Sequence, residues 1–381
     1  MINNKVIVPY RIKQARTTRG YSMVELAELI GVTKQAISQY EMGKNEPSKQ
    51  VLNSISNFLK YPISFFYKSM PINEAASSVI FFRSKKTTKI KSYNAAKEKM
   101  CIFEEIHKYI NQFVDFPDAN LPKIEYPDYG VDLLDNDIIE NYAITLREFW
   151  NLGSGPIDNL MNVVQKNGIM ISKMQLGLNK IDAFSVWRNT PYIFLSSDKD
   201  TNVRIRFDIA HELGHLILHT DYIGDEEISK DIIWSKIEDE ANRFSGAFLL
   251  PKETFSKDIY STSIDHFIQL KSKWKVSISC MINRCDTLGL LSPNQIKYLK
   301  DQMTARVYWR TEPLDNIMPI EKPFAHKQAI KLLLENNIVT PMQIVHDVGC
   351  YAEEIEEYCF LDKGTLAIKE NTNVIKLKKI K

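Results

Sequence analysis

The 381-residue sequence contains no long hydrophobic run, few cysteines and almost no net charge. No window approaches the roughly 18 to 20 apolar residues that a membrane-spanning helix needs, so we expect no membrane partner. The five cysteines form no Cys-x-x-Cys pair, which argues against a disulfide framework and favours free thiols in a reducing cytoplasm. Residues 1–9 lack the long apolar core of a signal peptide. At 44% hydrophobic, the chain nevertheless has enough apolar residues to bury real cores.

The formal net charge of +2 hides a strong asymmetry along the chain. Residues 1–100 carry 17 basic and 6 acidic side chains, whereas residues 101–381 carry 32 basic and 41 acidic ones. A basic segment ahead of an acidic body indicates that the first hundred residues contact a polyanion and that the remainder has another role.

Hydrophobic periodicity and turn residues predict a multidomain, mainly α-helical protein with a small β-sheet. We expect four parts in chain order: an all-α helix-turn-helix domain at 1–69, a basic linker and helical connector at 70–137, an α+β domain at 138–305, and a small helical C-terminal region at 306–381.

Two short helices joined by a tight turn are predicted within the first part. Ser22 and Glu25 form a capping box, Gly31 ends the first helix, and Thr33 caps the second. This spacing is typical of a helix-turn-helix, whose second helix enters the major groove of double-stranded DNA. The side chains expected to read bases are Lys34, Gln35, Ser38 and Gln39. Those expected to contact phosphates are Arg11, Arg16, Lys44 and Asn45.

A short helix-turn-helix pattern alone also fits an ordinary solvated helical bundle, but here several segments occur in register. They are Arg11-x4-Arg16, Ser22-x2-Glu25-Leu26-Ala27, Gly31-Val32-Thr33 and Ile37-Ser38-x-Tyr40-Glu41-x-Gly43. In these segments, residues 8–67 resemble the phage-repressor (XRE/Cro-like) helix-turn-helix family. The resemblance implies that a homodimer binds an inverted-repeat DNA operator.

A second motif, His211-Glu212-Leu213-Gly214-His215, lies in a window with helical periodicity at 201–219. Residues four apart share one face of a helix, so both imidazoles can bind one metal ion. Glu212 would then be the catalytic base, which accepts a proton from water. Composition predicts this pattern by chance in roughly one such chain per hundred, so chance is not the favoured explanation.

A catalytic metal site of this kind needs a third protein ligand. His219 continues the four-residue series, but on a straight helix it lies about 6 Å further along and rotated away from the ion. The better candidate is Glu238 on a second predicted helix. Asn242 is one turn further on and is placed to orient a ligand imidazole. Glu240 remains an alternative acidic ligand.

Residues 142–300 resemble the ImmA/IrrE metallopeptidase family, which has a gluzincin-like fold. The segments that carry this resemblance include Arg206-Phe207-Asp208-Ile209-Ala210-His211-Glu212-Leu213-Gly214-His215-Leu216-x2-His219 and Glu238-x-Glu240-Ala241-Asn242-x-Phe244. Matched by position, the resemblance implies that His211, His215 and Glu238 bind zinc and that Glu212 is the general base. Two histidines and one carboxylate suit Zn²⁺ but also admit Mn²⁺ or Fe²⁺.

Together, the two resemblances predict a DNA-binding transcriptional regulator with a zinc-dependent endopeptidase. Its expected protein substrate is a helix-turn-helix repressor, either the chain itself or a partner, whose cleavage relieves repression under stress. The basic linker at 70–100 is an accessible place for such a cut. Two alternatives stay open: a non-proteolytic regulator whose metallopeptidase-like domain senses a ligand or partner, and a toxin-antitoxin component.

Overall fold

The computed structural model describes residues 6–69, 80–82, 90–122, 134–176, 182–197, 201–219 and 230–367. Contacts within the chain divide it into two compact units. Unit 1 consists of Met1–Ile72, Lys97–Val114 and His326–Lys381, and unit 2 consists of Asn73–Ala96 and Asp115–Ala325. In the parts of the chain that are described, no helix is both long and apolar enough to cross a membrane.

Helices predominate in both units, and the described strands form one small sheet. The helices are α1 (Pro9–Thr18), α2 (Met23–Ile30), α3 (Lys34–Glu41), α4 (Lys49–Leu59), α5 (Ile90–Ile110), α6 (Asn136–Phe149), α7 (Leu160–Lys166), α8 (Asn202–Leu218), α9 (Lys230–Leu249), α10 (Lys252–Asp258), α11 (Ile264–Trp274), α12 (Ile278–Thr287), α13 (Pro293–Ala305), α14 (Ala325–Glu335), α15 (Pro341–Val348) and α16 (Ala352–Tyr358), with a 3₁₀ helix at Ile63–Tyr67. The strands are β1 (Ile80–Phe82), β2 (Met170–Met174), β3 (Ala183–Trp187) and β4 (Pro191–Ser196). The predicted mainly α-helical architecture with a small β-sheet is confirmed.

The N-terminal helices of unit 1 begin and end where their capping residues indicate. The hydroxyl of Ser22 accepts a hydrogen bond from the backbone N–H of Glu25, whose carboxylate accepts one from the N–H of Ser22. Gly31 ends α2 with a left-handed φ of 72°, which is unfavourable for residues with a Cβ atom. Thr33 caps α3, and Ile37 is the buried residue of that helix. The two helices therefore form a helix-turn-helix that leaves most of α3 accessible.

The C-terminal helices pack within unit 1 instead of forming the separate region expected at 306–381. Arg19 donates hydrogen bonds to both carboxylate oxygens of Glu354, at 2.8 and 2.9 Å. Lys68 donates to the carbonyl oxygen of Val348 at 2.5 Å. These partners are 335 and 280 residues apart in sequence, so no local pattern indicates their contact.

Helices α15 and α16 repeat the turn geometry of α2 and α3. Thr340 and Gln343 form a capping box at the start of α15, and Gly349 ends that helix with a φ of 74°. The second helix of this pair, however, carries four acidic residues, Glu353, Glu354, Glu356 and Glu357. These carboxylates make α16 unsuited to the phosphate backbone of DNA.

Unit 2 contains the sheet, in which the strand order is β1-β3-β4-β2. Strand β2 runs parallel to β4, whereas β3 runs antiparallel to both of its neighbours. Every residue of β2 and β4 is buried, which is typical of strands that are covered on both faces. Helix α8 packs against β3 and β4 and also against α9.

Helix α8 is the central element of unit 2. All of its 17 residues except Arg204 and Phe207 are buried. Gly214 allows close approach of α9, because a Cβ atom added there would lie only 3.2 Å from the Cα atom of Ala241. The facing surfaces of these two helices carry the candidate metal ligands.

Buried ion pairs attach residues 306–325 to unit 2, so the expected boundary at residue 306 does not separate two units. Lys271, which is fully buried, contacts Glu312 at 2.8 Å and also pairs with Asp315. The guanidinium of Arg206, also fully buried, pairs with Glu321. Each basic side chain comes from a helix and each acidic one from the 306–325 segment.

Candidate metal centre and nucleic-acid interface

The three predicted metal ligands come together between α8 and α9. His211 and His215, one turn apart on α8, place their Nε2 atoms 3.0 Å from each other. The carboxylate of Glu238 on α9 lies 3.5 Å from each of these nitrogens, through a different oxygen for each. Both histidines are buried, while Glu238 is partly exposed.

These distances fit a tetrahedral zinc ion. Ligand atoms that lie 2.0–2.1 Å from zinc at tetrahedral angles are about 3.3 Å from one another. The two Nε2 atoms, 3.0 Å apart, are close to that value, and each of them lies 3.5 Å from an oxygen of Glu238. Among the residues that the structure describes, these three form the only such cluster of metal-ligating side chains.

Hydrogen bonds behind His215 leave its Nε2 atom unprotonated. Glu240 is buried, and its carboxylate accepts from the backbone N–H of Leu134 at 2.9 Å and from Nε2 of His219 at 3.0 Å. Because an ionised carboxylate only accepts, the proton of neutral His219 is on Nε2, and its Nδ1 accepts from Nδ1 of His215 at 3.0 Å. His215 therefore carries its proton on Nδ1 and presents a lone pair on Nε2 to the metal position.

His211 is oriented in the same way by a different partner. Its Nδ1 lies 3.0 Å from the side-chain oxygen of Asn242, which accepts the proton and leaves Nε2 of His211 unprotonated. Asn242, His219 and Glu240 thus all lie behind the ligand imidazoles, while Glu238 faces the metal position.

The electrostatics of the cluster also favour ligands without protons. Burial lowers the pKa of His215 to about 3, so its imidazole is neutral at physiological pH. Metal ions bind neutral imidazole, which is the form of His215 at physiological pH.

The predicted base, Glu212, is buried on α8 directly after His211, and its carboxylate contacts a residue for which the sequence predicts no role. The hydroxyl of Ser185 on β3 donates to the Oε2 atom of Glu212 at 2.6 Å. Ser185 is 27 residues before Glu212 in sequence, and an inward-facing serine on a buried strand carries no local signal of that contact. Ser185 therefore orients the carboxylate that would accept a proton.

The side chains predicted to read DNA bases lie on α3 of unit 1. Lys34 and Gln35 are exposed, and Ser38 and Gln39 are partly exposed. The side-chain amide of Asn45 donates a hydrogen bond to the side-chain oxygen of Gln39 at 2.8 Å. This bond holds the Asn45 side chain against α3. Lys44 and Asn45, predicted to contact phosphate, are exposed in the turn after α3.

The two arginines predicted to contact phosphate are buried inside unit 1, and that expectation is corrected. Arg11 is 1% exposed and pairs with Glu105 at 2.6 Å, and Arg16 is 8% exposed and pairs with Glu41 at 2.5 Å. Both guanidinium groups are occupied by carboxylates within the unit, so they stabilise its fold.

Comparisons with known proteins identify two domains. Residues 12–66 match the helix-turn-helix family, and residues 164–286 match the IrrE N-terminal-like domain family of peptidases. The chain therefore carries an N-terminal helix-turn-helix domain and an IrrE N-terminal-like domain.

Curated relatives share similarity over a limited length. An SPbeta prophage-derived uncharacterized HTH-type transcriptional regulator, YonR, of Bacillus subtilis is 40% identical over 58 residues, which are 15% of this chain and 54% of that protein. Uncharacterized HTH-type transcriptional regulators of Sinorhizobium medicae and Rhizobium meliloti are each 38% identical over 78 residues, which are 19% of this chain and 56% of those proteins. The chain thus spans about half the length of the curated relatives it matches.

Proposed function

We propose that this protein is a DNA-binding transcriptional regulator that carries a metal-dependent endopeptidase, whose substrate is a helix-turn-helix repressor, either the chain itself or a partner. Cleavage would relieve repression under stress. The observation that carries the proposal is the cluster of His211, His215 and Glu238 beside Glu212, in the same chain as a helix-turn-helix.

The side chains of the cluster support peptide hydrolysis. Zinc at such a site polarises a peptide carbonyl and lowers the pKa of water, and Mn²⁺ or Fe²⁺ suits the same ligands. Glu212 accepts a proton from the attacking water and passes it to the leaving amine nitrogen. Ser185 holds the Glu212 carboxylate in place, while Asn242 and His219 orient the two imidazoles.

Cleavage is tested with Glu212→Gln, which preserves the size of the side chain but removes the base. The purified chain is incubated with Zn²⁺ and operator DNA, and its intact mass is followed with time. We expect Glu212→Gln to bind zinc, fold normally and cleave about 10²- to 10⁴-fold more slowly.

Glu253→Gln is the matched control, because Glu253 is exposed and lies outside the cluster. Cleavage by Glu212→Gln at the wild-type rate would refute the role of this base. If neither the wild-type chain nor added helix-turn-helix repressor is cut, and regulation is unaffected by Glu212→Gln, the domain acts as a non-proteolytic sensor.

The DNA-binding part of the proposal rests on the exposed polar side chains of α3 and on Lys44 and Asn45, which are exposed in the turn after it. We propose that a homodimer binds an inverted-repeat operator in double-stranded DNA. Lys44→Ala should reduce the slope of log affinity against log salt concentration by about 1, because one phosphate contact is lost. Lys257→Ala, at an exposed lysine of unit 2, is the control. Equal slopes for the two variants would refute the contact.

A further inference from the structure

Strand β1 comes from outside the domain whose sheet it joins. Strands β2, β3 and β4 and helix α8 lie within residues 164–286, the segment that matches the IrrE N-terminal-like domain. Strand β1 at Ile80–Phe82 precedes that segment by about 80 residues and belongs to the stretch predicted as a basic linker. Without β1, strand β3 would be an edge of the sheet, because the strand order is β1-β3-β4-β2.

The linker strand runs beside the residue that contacts the candidate base. Phe81 pairs with Ser185 in the antiparallel register, and the hydroxyl of Ser185 is 2.6 Å from the carboxylate of Glu212. Paired Cα atoms of antiparallel strands are about 4.5–5.5 Å apart, so the backbone of residue 81 lies within about 10 Å of that carboxylate. A peptide paired with β3 at this position would be close to the metal cluster.

The edge of a sheet is a common binding surface for an extended peptide, which adds to it as a further strand. In this chain, the edge of β3 already holds a strand of the chain's own linker. We propose that Ile80–Phe82 is an internal occupant of the peptide-binding edge of β3, which a protein substrate must displace before it pairs there. That a protein substrate competes for this edge rests on the proposed function, whereas the pairing of Ile80–Phe82 with β3 does not.

The length of β1 indicates how firmly it is held. A strand of three residues forms few inter-strand hydrogen bonds, so its affinity for β3 as a free peptide would be low. Because β1 is covalently attached to the chain, its effective concentration at β3 is in the millimolar range, which offsets this low affinity. We therefore expect the linker strand to weaken the binding of an added peptide about tenfold.

The test uses the full chain with Glu212→Gln, so that bound peptide is not cut. Phe81→Pro disrupts the pairing of β1, and Phe81→Gly weakens it without the rigid ring of proline. The probe is a fluorescent peptide with the sequence of residues 76–86, whose binding is measured by anisotropy. Phe113→Gly is the control, since Phe113 is 41% exposed and lies outside the sheet.

Both Phe81 variants should bind the peptide about tenfold more tightly than the Glu212→Gln parent, and Phe113→Gly should match the parent. In hydrogen exchange, those amides of residues 184–186 that point towards β1 should exchange faster in the Phe81 variants and slow again with peptide. The amides of β2, the other edge, should not change.

Equal peptide affinity in the parent and the Phe81 variants would overturn the proposal. Faster exchange in β3 without tighter peptide binding would also overturn it, since the edge would then be vacated without accepting a peptide. Because the readout is binding, a wild-type chain that cuts no protein refutes the proposed peptidase function and leaves this result standing.

Discussion

Substitution of Gly214 tests whether the close packing of α8 on α9 is what assembles the metal ligands. A Cβ atom at position 214 would lie 3.2 Å from the Cα atom of Ala241 and 3.2 Å from a ring carbon of Phe244. Such distances are tighter than ordinary contact, and the obstacle at Ala241 is backbone, so α9 itself must move by a few tenths of an ångström.

Two opposing effects determine the stability of Gly214→Ala. Alanine is favoured over glycine inside a helix by about 1 kcal/mol, whereas overpacking a core costs about 1–3 kcal/mol. We therefore expect a net loss of up to about 2 kcal/mol in the free energy of unfolding. For a unit of 150–250 residues, each kcal/mol corresponds to about 2–4 °C in melting temperature.

Gly246→Ala is the matched control on α9. Its added Cβ would meet only a side-chain carbon of Arg284, at 3.7 Å, which is ordinary van der Waals contact. This variant should therefore gain up to about 1 kcal/mol from helix propensity alone. Thermal unfolding of the two metal-free variants should place Gly214→Ala several degrees below Gly246→Ala.

The decisive assay is zinc affinity, measured by competition with a chromophoric chelator. Movement of α9 displaces Glu238 from the two histidines, and metal sites tolerate only about 0.2 Å of change in ligand distances. We expect Gly214→Ala to bind zinc at least about tenfold more weakly, while Gly246→Ala binds normally. A Gly214→Ala chain with wild-type stability and wild-type zinc affinity would refute the packing argument.

Three further predictions concern buried polar groups. Glu240→Gln should weaken zinc binding about 10- to 100-fold, because its amide replaces one of the two carboxylate oxygens that accept from Leu134 and His219. ¹⁵N NMR of this variant should show that His219 no longer carries its proton on Nε2. An unchanged His219 tautomer would contradict the proposed hydrogen-bond directions. Lys271→Ala should lower the free energy of unfolding, measured in urea, by about 3–5 kcal/mol, because Glu312 and Asp315 are then buried without their cation. Lys257→Ala, at an exposed lysine, should change that free energy by less than about 0.5 kcal/mol. Burial lowers the pKa of His107 to about 4, so the unfolded chain binds a proton more readily than the folded chain does. The free energy of unfolding should therefore decrease as pH falls from about 6.5 towards 4. His107→Asn should make this dependence of stability on pH less steep, and an identical dependence in the variant would contradict the role of His107.

Local signals predicted the helix-turn-helix and the metal cluster because both depend on short spacings. Gly31 and its flanking caps set the bounds of α2 and α3, and the four-residue spacing of His211 and His215 placed both on one face of α8. The resemblance to the metallopeptidase family predicts Glu238 as the third ligand, and its carboxylate lies beside the two imidazoles in the structure.

Contacts between distant residues account for the differences from expectation. Positive charge alone does not distinguish a phosphate-binding arginine from Arg11, whose partner Glu105 is 94 residues away. Strand β1 is an apolar tripeptide in a basic stretch, too short for periodicity to separate it from a loop. Docking of the C-terminal helices depends on Glu354, whose partner Arg19 lies near the opposite end of the sequence.

The division of unit 1 into three segments determines what a cut in the linker would achieve. The N-terminal helices are joined to Lys97–Val114 through the linker, but the pairs of Arg11 with Glu105 and of Arg19 with Glu354 also hold them. A nick in the linker would therefore leave two fragments that still associate as one folded unit. Separation of such fragments depends on protein concentration, because a unimolecular fold has become a bimolecular complex. The operator would then be released when the fragments dissociate or are degraded, which is later than the moment of peptide-bond cleavage.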